Sequence, residues 1–522
     1  MMRNDQSLPE LLARMGEEKI EKVKLAIADI DGVLRGKVIS FEKFKAIASK
    51  GFGFCDVVFG WDSADRAYDN GAFTGWHTGY PDAVAVVDVH TMRRVPWEGG
   101  LPFFLADFSS ARSQAGGEFG GAARADAGGE FGAAGGAAVS AGAAPVCPRS
   151  LLKRVIGQAS EAGYSAFFSQ EFEWFNFIAP AVAGGAPNGG TMARGVPGVA
   201  GELPGVSGGM MAGGTPTGGA MAGGWSFADL RPMTQGMFGY SILRASQGSA
   251  FFHDLFDNLG RFGVPLEGLH TETGPGVYEA AIMYADILEA ADRAVLFKTA
   301  VKEIGHRRGI LPTFMAKINE SLPGCSGHVH QSLWSIDGSR NLFYDADRET
   351  GMSVLMECYI AGQLHCLPHI LPMMAPTVNS YKRLVEGAWA PTTLTWGIDN
   401  RTVALRSLPG GSTSTRLETR VVGSDTNPYL AMAACLAAGL YGIRHGLPLR
   451  AATKGNGYAD KSHGVLPRNL WEATQAMRAS PLAVELFGAE FTDHFVRTRE
   501  WEWRQFGQAV TDWELQRYLE II

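Results

Sequence analysis

Four short stretches place ionisable side chains at alternate positions among apolar neighbours. In Ser169-Gln170-Glu171-Phe172-Glu173-Trp174-Phe175, an extended chain puts Glu171 and Glu173 on one face and Phe172 and Trp174 on the other, because strand side chains alternate. Gly327-His328-Val329-His330-Gln331-Ser332-Leu333 aligns two imidazoles and a hydroxyl in the same way. Thr415-Arg416-Leu417-Glu418-Thr419-Arg420 aligns arginine, glutamate and arginine. In His270–Glu279, a Gly-Pro-Gly turn is bracketed by Glu272 and Glu279. Carboxylates and imidazoles hold divalent ions such as Mg2+ or Mn2+. The planar guanidinium fork matches phosphate oxygens. Together these groups point to metal-assisted phosphoryl transfer, in which positioning and charge neutralisation supply most of the rate. Any one stretch alone reads as a solvated sheet face, but the set offers complementary chemistry. The arginines of Asn379–Arg383 and of Asp399–Arg406 are less telling. Arg401 and Arg406 stand an odd number apart, so a regular strand sends them to opposite faces.

The elements that must position these groups are legible in outline. The apolar spacing predicts a helix over 8–18, strands over 23–30 and 34–40 joined at Asp31-Gly32, and a strand over 83–89. It predicts helices over 148–162, 281–307 and 428–444 and an extended stretch over 166–177. Regular β-α-β alternation is missing, which favours the α+β class. Glycine is in excess, 67 of 522 residues, and is concentrated at 115–145, where GGEFG occurs twice, and at 184–224. Such sequence loses much backbone entropy on ordering and has few large side chains to bury, so both runs read as flexible surface insertions. Neither carries a phosphate-loop or dinucleotide fingerprint. The first marks a domain boundary near residue 110.

Composition narrows the classes of function. With 46% hydrophobic and 19% charged residues the chain is globular, and 46 basic against 53 acidic residues give a net charge of −7. That balance argues for no nucleic acid and no anionic membrane as partner. The most apolar run, Tyr429–Ile443, is shorter than the ~20 residues that span a bilayer. The N-terminus has no apolar signal core. Six scattered cysteines read as free thiols in a reducing compartment, so a cytoplasmic location is expected.

In this order the stretches resemble the glutamine synthetase family. The resemblance rests on ETGPGVYE at 272–279, HVHQSLW at 328–334, NSYKRL at 379–384, and R-x-E-x-R at 416–420 followed by NPYLA at 427–431. AIADIDGVLRGKVIS at 26–40 is similar to the family's N-terminal domain. The resemblance implies an α+β fold with a small N-terminal β-grasp domain over 1–108 and a Gly/Ala-rich linker insertion over 109–146. A large catalytic domain with a curved antiparallel sheet would occupy 147–522, with a Gly-rich insertion at about 184–224. It implies a homo-oligomer, a dodecamer of two stacked rings with active sites between neighbouring subunits. It implies ATP-dependent phosphorylation of the glutamate γ-carboxylate and then attack by ammonia or an amine, with two or three Mg2+ or Mn2+ ions per site.

Carried over by position, the resemblance makes Glu173, Glu272 and Glu279 ligands of a first metal and Glu171, His328 and Glu418 ligands of a second. Arg383 and Arg420 would hold the substrate α-carboxylate, Gly324 would bring a backbone group to it, and Arg401 would neutralise the transferring phosphoryl group. Arg406 and Arg416 would contact ATP phosphates, with His330 and Ser332 on the nucleotide side. Asp62 is the candidate for the N-terminal aspartate that reaches a neighbour's site, with Asp56 the alternative. One departure bears on substrate. Where glutamine synthetases carry a flap glutamate that accepts the ammonium proton, this chain has Trp389, in Glu386-Gly387-Ala388-Trp389-Ala390-Pro391. Tryptophan takes no proton but packs against an apolar or cationic amine, which favours an organic amine. The competing reading has Trp389 packing the flap, with Glu386 supplying the carboxylate to an ammonia-using enzyme. A non-catalytic relative would show eroded ligands, yet all six metal positions hold Glu or His.

Overall fold

The computed structural model describes residues 7–112, 144–179 and 230–522. The glycine-rich insertions therefore lie outside the described residues, apart from Ala144 and Pro145. The N-terminal unit begins with α1 (Leu8–Glu17), whose first turn is closed by a capping box between Ser7 and Glu10, as this residue pair favours. β1 (Lys22–Ala28) and β2 (Leu34–Ser40) form the expected hairpin. Asp29 shapes its turn by accepting from the backbone N–H of Asp31 and Val33. α2 (Phe41–Ile47), β3 (Phe52–Cys55), β4 (Asp82–Val95) and β5 (Leu101–Arg112) complete a mixed sheet of order β2-β1-β5-β4-β3, with β1 parallel to β5. Leu11, Met15, Phe41 and Phe44 of the two helices pack on Val23, Leu25 and Phe104 of the sheet. This is the small β-grasp domain.

After α3 (Pro148–Glu161) comes β6 (Tyr164–Ile178), the spine of the second sheet. β7 (Arg231–Pro232), α4 (Ile242–Gln247), α5 (Ser249–Arg261), β8 (Leu266–Thr271), β9 (Val277–Ile282) and β10 (Ala285–Asp286) follow. Then come α6 (Ile287–Arg307), β11 (Ile310–Thr313), β12 (Val329–Ser335), α7 (Val354–Ile370), α8 (Ser380–Arg383), β13 (Trp396–Ile398), β14 (Leu405–Leu408) and β15 (Arg416–Thr419). α9 (Pro428–Arg444) and α10–α13 (Leu470–Arg478, Pro481–Phe487, Ala489–Gln508, Asp512–Tyr518) close the chain. The main path of the sheet runs β13-β14-β15-β12-β6-β9-β8, and β7, β10 and β11 also pair with β6. All its pairings are antiparallel except β13 with β14. Because β6 changes partners along its length, the sheet curls. Its buried residues Phe172 and Trp174 pack against Phe297 of α6, which leaves Ser169, Glu171 and Glu173 on the opposite face.

One expected helix is shorter than its pattern. Ala281–Asp286 is extended, since Ala281 pairs with Glu171 and Ala285 with Phe168, and α6 starts at Ile287 behind the Asp286 cap. Sheet hydrogen bonds override the helix propensity of this alanine-rich stretch. The two domains are tied by buried polar contacts. Arg149 of α3 binds Asp88, Asp107 and Asp292. Asn427 donates to the carbonyls of Asp29 and Ile30, and Arg499 donates to Asp31 at 2.6 Å. Among the described residues no helix is long and apolar enough to cross a membrane.

Candidate active site

Strand register gathers the ionisable side chains. Glu173 of β6 lies opposite Glu279 of β9, which lies opposite His270 of β8. On the other edge, His330 of β12 pairs with Ser169 of β6 and with Glu418 of β15, and Glu418 pairs with Arg406 of β14. His328 enters just ahead of β12, where its carbonyl accepts from the Glu171 N–H. Residues hundreds of positions apart thus share one sheet face.

Two groups of ligand-capable atoms result, each within 4.8 Å of one another: Glu171, His330 and Glu418, and His270, Glu272 and Glu279. His328 adjoins the first, with Nδ1 2.8 Å from Glu171 and 3.2 Å from Glu418. His330 Nε2 is 3.3 Å from Glu171. Glu173 stands beside the second group and accepts from the Ser326 N–H at 2.6 Å. Burial opposes ionisation of Glu171, but His330 and His328 outweigh it and hold the carboxyl well below its usual range. Glu279 is the reverse case. Burial, then the charges of Glu171, Glu173 and Glu272, push its carboxyl up to about 10. A half-buried space with this much negative charge and these oxygen and imidazole donors fits hard divalent cations. A cation there would relieve the repulsion that, together with burial, raises the Glu279 carboxyl.

Two members of this face were missed as site residues from sequence. His270 stands 3.4 Å from Glu272 and 3.5 Å from Glu279. Its alternate spacing with Glu272 is the same signal used elsewhere and would have found it. Tyr240 stacks on the His270 ring at 4.5 Å between centroids. Burial and the neighbouring Glu272 and Glu279 raise its hydroxyl to about 12. It sits at a left-handed φ of +56°, in a loop with no periodicity to mark it.

The arginines surround the same face. Arg383, 2% exposed, donates to the carbonyls of Val421 and Arg420 and lies 3.4 Å from His328 Nε2. Burial lowers its pKa. Asp425 accepts from Thr377 and Ser380 and so fixes the turn that carries Arg383. Gly324 leaves room for this guanidinium's stem, since a Cβ there would come within 2.6 Å of Arg383 Cγ. Arg420 pairs with Glu418, and its Nε is buried without a hydrogen-bond partner. Arg406 is held by Asp399 and Glu418. Arg401 is exposed on the turn before β14, near enough to act on Tyr240. Arg416 donates to His330 Nδ1 at 3.3 Å. Arg416, His330 and Ser332 line a cavity of about 360 Å³ walled by Phe167, Tyr284 and Trp334.

Trp389 is 65% exposed, so most of its side-chain surface is open rather than packed. Glu386 pairs instead with Lys461 at 2.9 Å. Asp62 engages both carboxylate oxygens within its own chain, on the N–H groups of Ala64 and Arg66 and on Trp501 Nε1. Asp56 is buried and accepts from Thr74 at 2.6 Å. Neither aspartate belongs to the two ligand groups.

The chain belongs to the glutamine synthetase family of ligases. The family's description "Glutamine synthetase, catalytic domain" matches residues 145–518. It is 46% identical to type-1 glutamine synthetase 2 of Dictyostelium discoideum over 97% of this chain and 86% of that protein. It is 31% identical to a glutamate–isopropylamine ligase of a Pseudomonas species, over 97% of this chain and 96% of that one. It is 32% identical to a gamma-glutamylethanolamide synthetase of Streptomyces coelicolor, over 98% and 95%. A solved structure named "GmaS/ADP complex-Conformation 1" superposes with a TM-score of 0.73 at 25% identity, over 98% of this chain and 99% of that one.

Proposed function

We propose that this protein is an ATP-dependent ligase that joins a small organic amine to the γ-carboxylate of glutamate through a γ-glutamyl phosphate. The observation that carries the choice of amine is Trp389. The flap presents an exposed indole where a proton-accepting carboxylate would serve ammonia, and the nearest acidic candidate, Glu386, is paired with Lys461. Relatives named for an isopropylamine substrate and for an ethanolamide product support it.

In this reading Arg383 and Arg420 hold the α-carboxylate of glutamate and aim its side chain at the acidic face. The nucleobase enters the aromatic cavity beside His330 and Ser332, and Arg406 and Arg416 steady the phosphates. Glu173, Glu272 and Glu279, and Glu171, His328 and Glu418, would hold two divalent cations, Mg2+ or Mn2+, which neutralise the phosphate and carboxylate oxygens as charge shifts between them. His270 and His330 stand close enough to join those sets. The γ-carboxylate oxygen takes the terminal phosphoryl group and ADP leaves, with Arg401 countering charge on that group. The amine nitrogen then attacks the acyl carbon, loses a proton, and phosphate departs. The expected assembly is a cytoplasmic homo-oligomeric ring, a dodecamer of two stacked rings.

A second reading, an ammonia-using glutamine synthetase, is favoured by the 46% identity to the Dictyostelium protein. Phosphate release with glutamate, ATP, Mg2+ and a panel of ammonia, methylamine, ethanolamine and isopropylamine separates the two. At least one amine is expected to exceed ammonia in kcat/KM, and Trp389→Glu is expected to move the ratio toward ammonia by roughly tenfold. Ammonia ahead of every amine would contradict the first reading.

A further inference from the structure

We propose that the segment Gly457–Leu466 sets amine selectivity by holding the Trp389 flap, with Tyr458 and Lys461 as positioning residues. This rests on the reading of Trp389 as the wall that meets the amine.

The flap is short and strained. It leaves the buried end of α8 at Arg383, turns through Gly387 at φ +79° and Trp389 at φ +58°, and is anchored again at the buried Ala390. A bulky residue in the left-handed region persists only where its surroundings enforce it. Those surroundings come from a segment about seventy residues further along the chain. The backbone of Leu394 donates to Gly464, that of Leu466 donates to Thr392, and the Thr393 hydroxyl donates to the Gly457 carbonyl. Lys461 reaches the flap itself through Glu386. The Tyr458 hydroxyl is buried against the backbone of Trp389 with no well-formed hydrogen bond of its own.

The same segment also braces the loop that carries Arg401. The Gly457 N–H donates to the Thr402 hydroxyl at 2.7 Å, and just ahead of the segment the Gly455 carbonyl accepts from Asn400 at 2.8 Å. A Cβ at Gly457 would come within 2.6 Å of the Thr402 carbonyl, so the approach is as close as glycine allows. One piece of chain therefore fixes the spacing between the proposed phosphoryl-neutralising arginine and the proposed amine wall. The Lys461–Glu386 pair is exposed, 57% and 59%, and exposed pairs add little to global stability. Its effect falls on how often the flap is seated, which scales the apparent affinity for the amine.

Lys461→Glu sets two like charges together and should unseat the flap. We expect KM for the amine nucleophile, ammonia included, to rise about three- to five-fold, with KM for glutamate and ATP and the melting temperature unchanged. Tyr458→Phe should narrow the preference between small and bulky amines. The exchange Glu386→Lys with Lys461→Glu should restore the wild-type KM. Unchanged amine KM in Lys461→Glu, or no rescue by the exchange, would overturn the proposal. Trp389→Ala serves as the control for the reading beneath it. If that variant leaves amine preference unmoved, the assignment of Trp389 has failed. If it shifts preference while Tyr458→Phe leaves preference unmoved and Lys461→Glu leaves amine KM unmoved, the assignment stands and the positioning role is wrong.

Discussion

Glu173→Gln is expected to lower kcat on the order of a thousand-fold, while the metal-free protein unfolds at the same temperature or higher. Glutamine keeps the acceptor for the Ser326 N–H and removes only the charge. That charge belongs to a group in which burial, and then the charges of Glu171, Glu173 and Glu272, push Glu279 up to about 10. Its loss relieves repulsion in the folded state and so favours folding. In the proposed reading the same loss would remove one counter-charge from the set Glu173, Glu272 and Glu279 that would hold a divalent cation, and such a cation would supply several kcal/mol of transition-state charge stabilisation. Thermal melts with and without Mn2+ report the other half. Wild-type protein gains stability by mass action, and the variant gains much less. A variant that turns over within tenfold of wild type would remove Glu173 from the site.

The largest expected loss of stability comes from Arg149→Met. The guanidinium is 2% exposed and donates to Asp292, which is fully buried, and to Asp107 and Asp88 at 2.8–2.9 Å. Methionine matches much of its volume but leaves three carboxylates facing one another. Lys153 remains near Asp88 and Asp107, the His90 N–H donates to Asp88, and Tyr429 and Arg93 stay near Asp292, but none replaces the buried guanidinium. Breaking a buried ion cluster from one side costs about 3–5 kcal/mol. The dependence on pH has a definite sign. In wild type Arg149 holds the Asp292 carboxyl below its ordinary value against burial. Without Arg149, burial raises that carboxyl above its unfolded value, so the variant favours the protonated form. The deficit is therefore larger at pH 7.5 than at pH 5.5. Adding Asp292→Asn should recover part of it. Denaturant melts at the two pH values measure both effects; an equal deficit at each would place the damage in packing rather than charge.

Alternation made the acidic face of β6 legible, because Phe172 and Trp174 needed a core and Glu171 and Glu173 did not. The same rule placed His330, Arg416 and Glu418 on strands, with His328 and Arg420 at the strand ends. It could not tell which strand each would meet. The pairing of His330 with Glu418 joins residues 88 positions apart and is set by the whole sheet. The N-terminal shift of α6 has the same origin, since Ala281 and Ala285 find β6 as a partner that local propensity does not register. His270 carried the spacing signal yet was passed over beside the stronger carboxylates. Tyr240 and Lys461 lie in loops and Tyr458 in a single 3-10 turn (Gly457–Ala459), where neither period nor motif marks a residue. Trp389 was legible only as a departure from its family, and its exposure only from the fold.

The convergence of these acids and imidazoles on divalent cations is tested most directly by diffraction at the manganese absorption edge from crystals grown with Mn2+ and a non-hydrolysable ATP analogue. Anomalous peaks are expected within ligand distance of Glu171, Glu418 and a histidine of the 328–330 pair, and within ligand distance of Glu173, Glu272 and Glu279. Manganese bound only elsewhere, or no peak on this sheet face in crystals of an active preparation, would contradict the site.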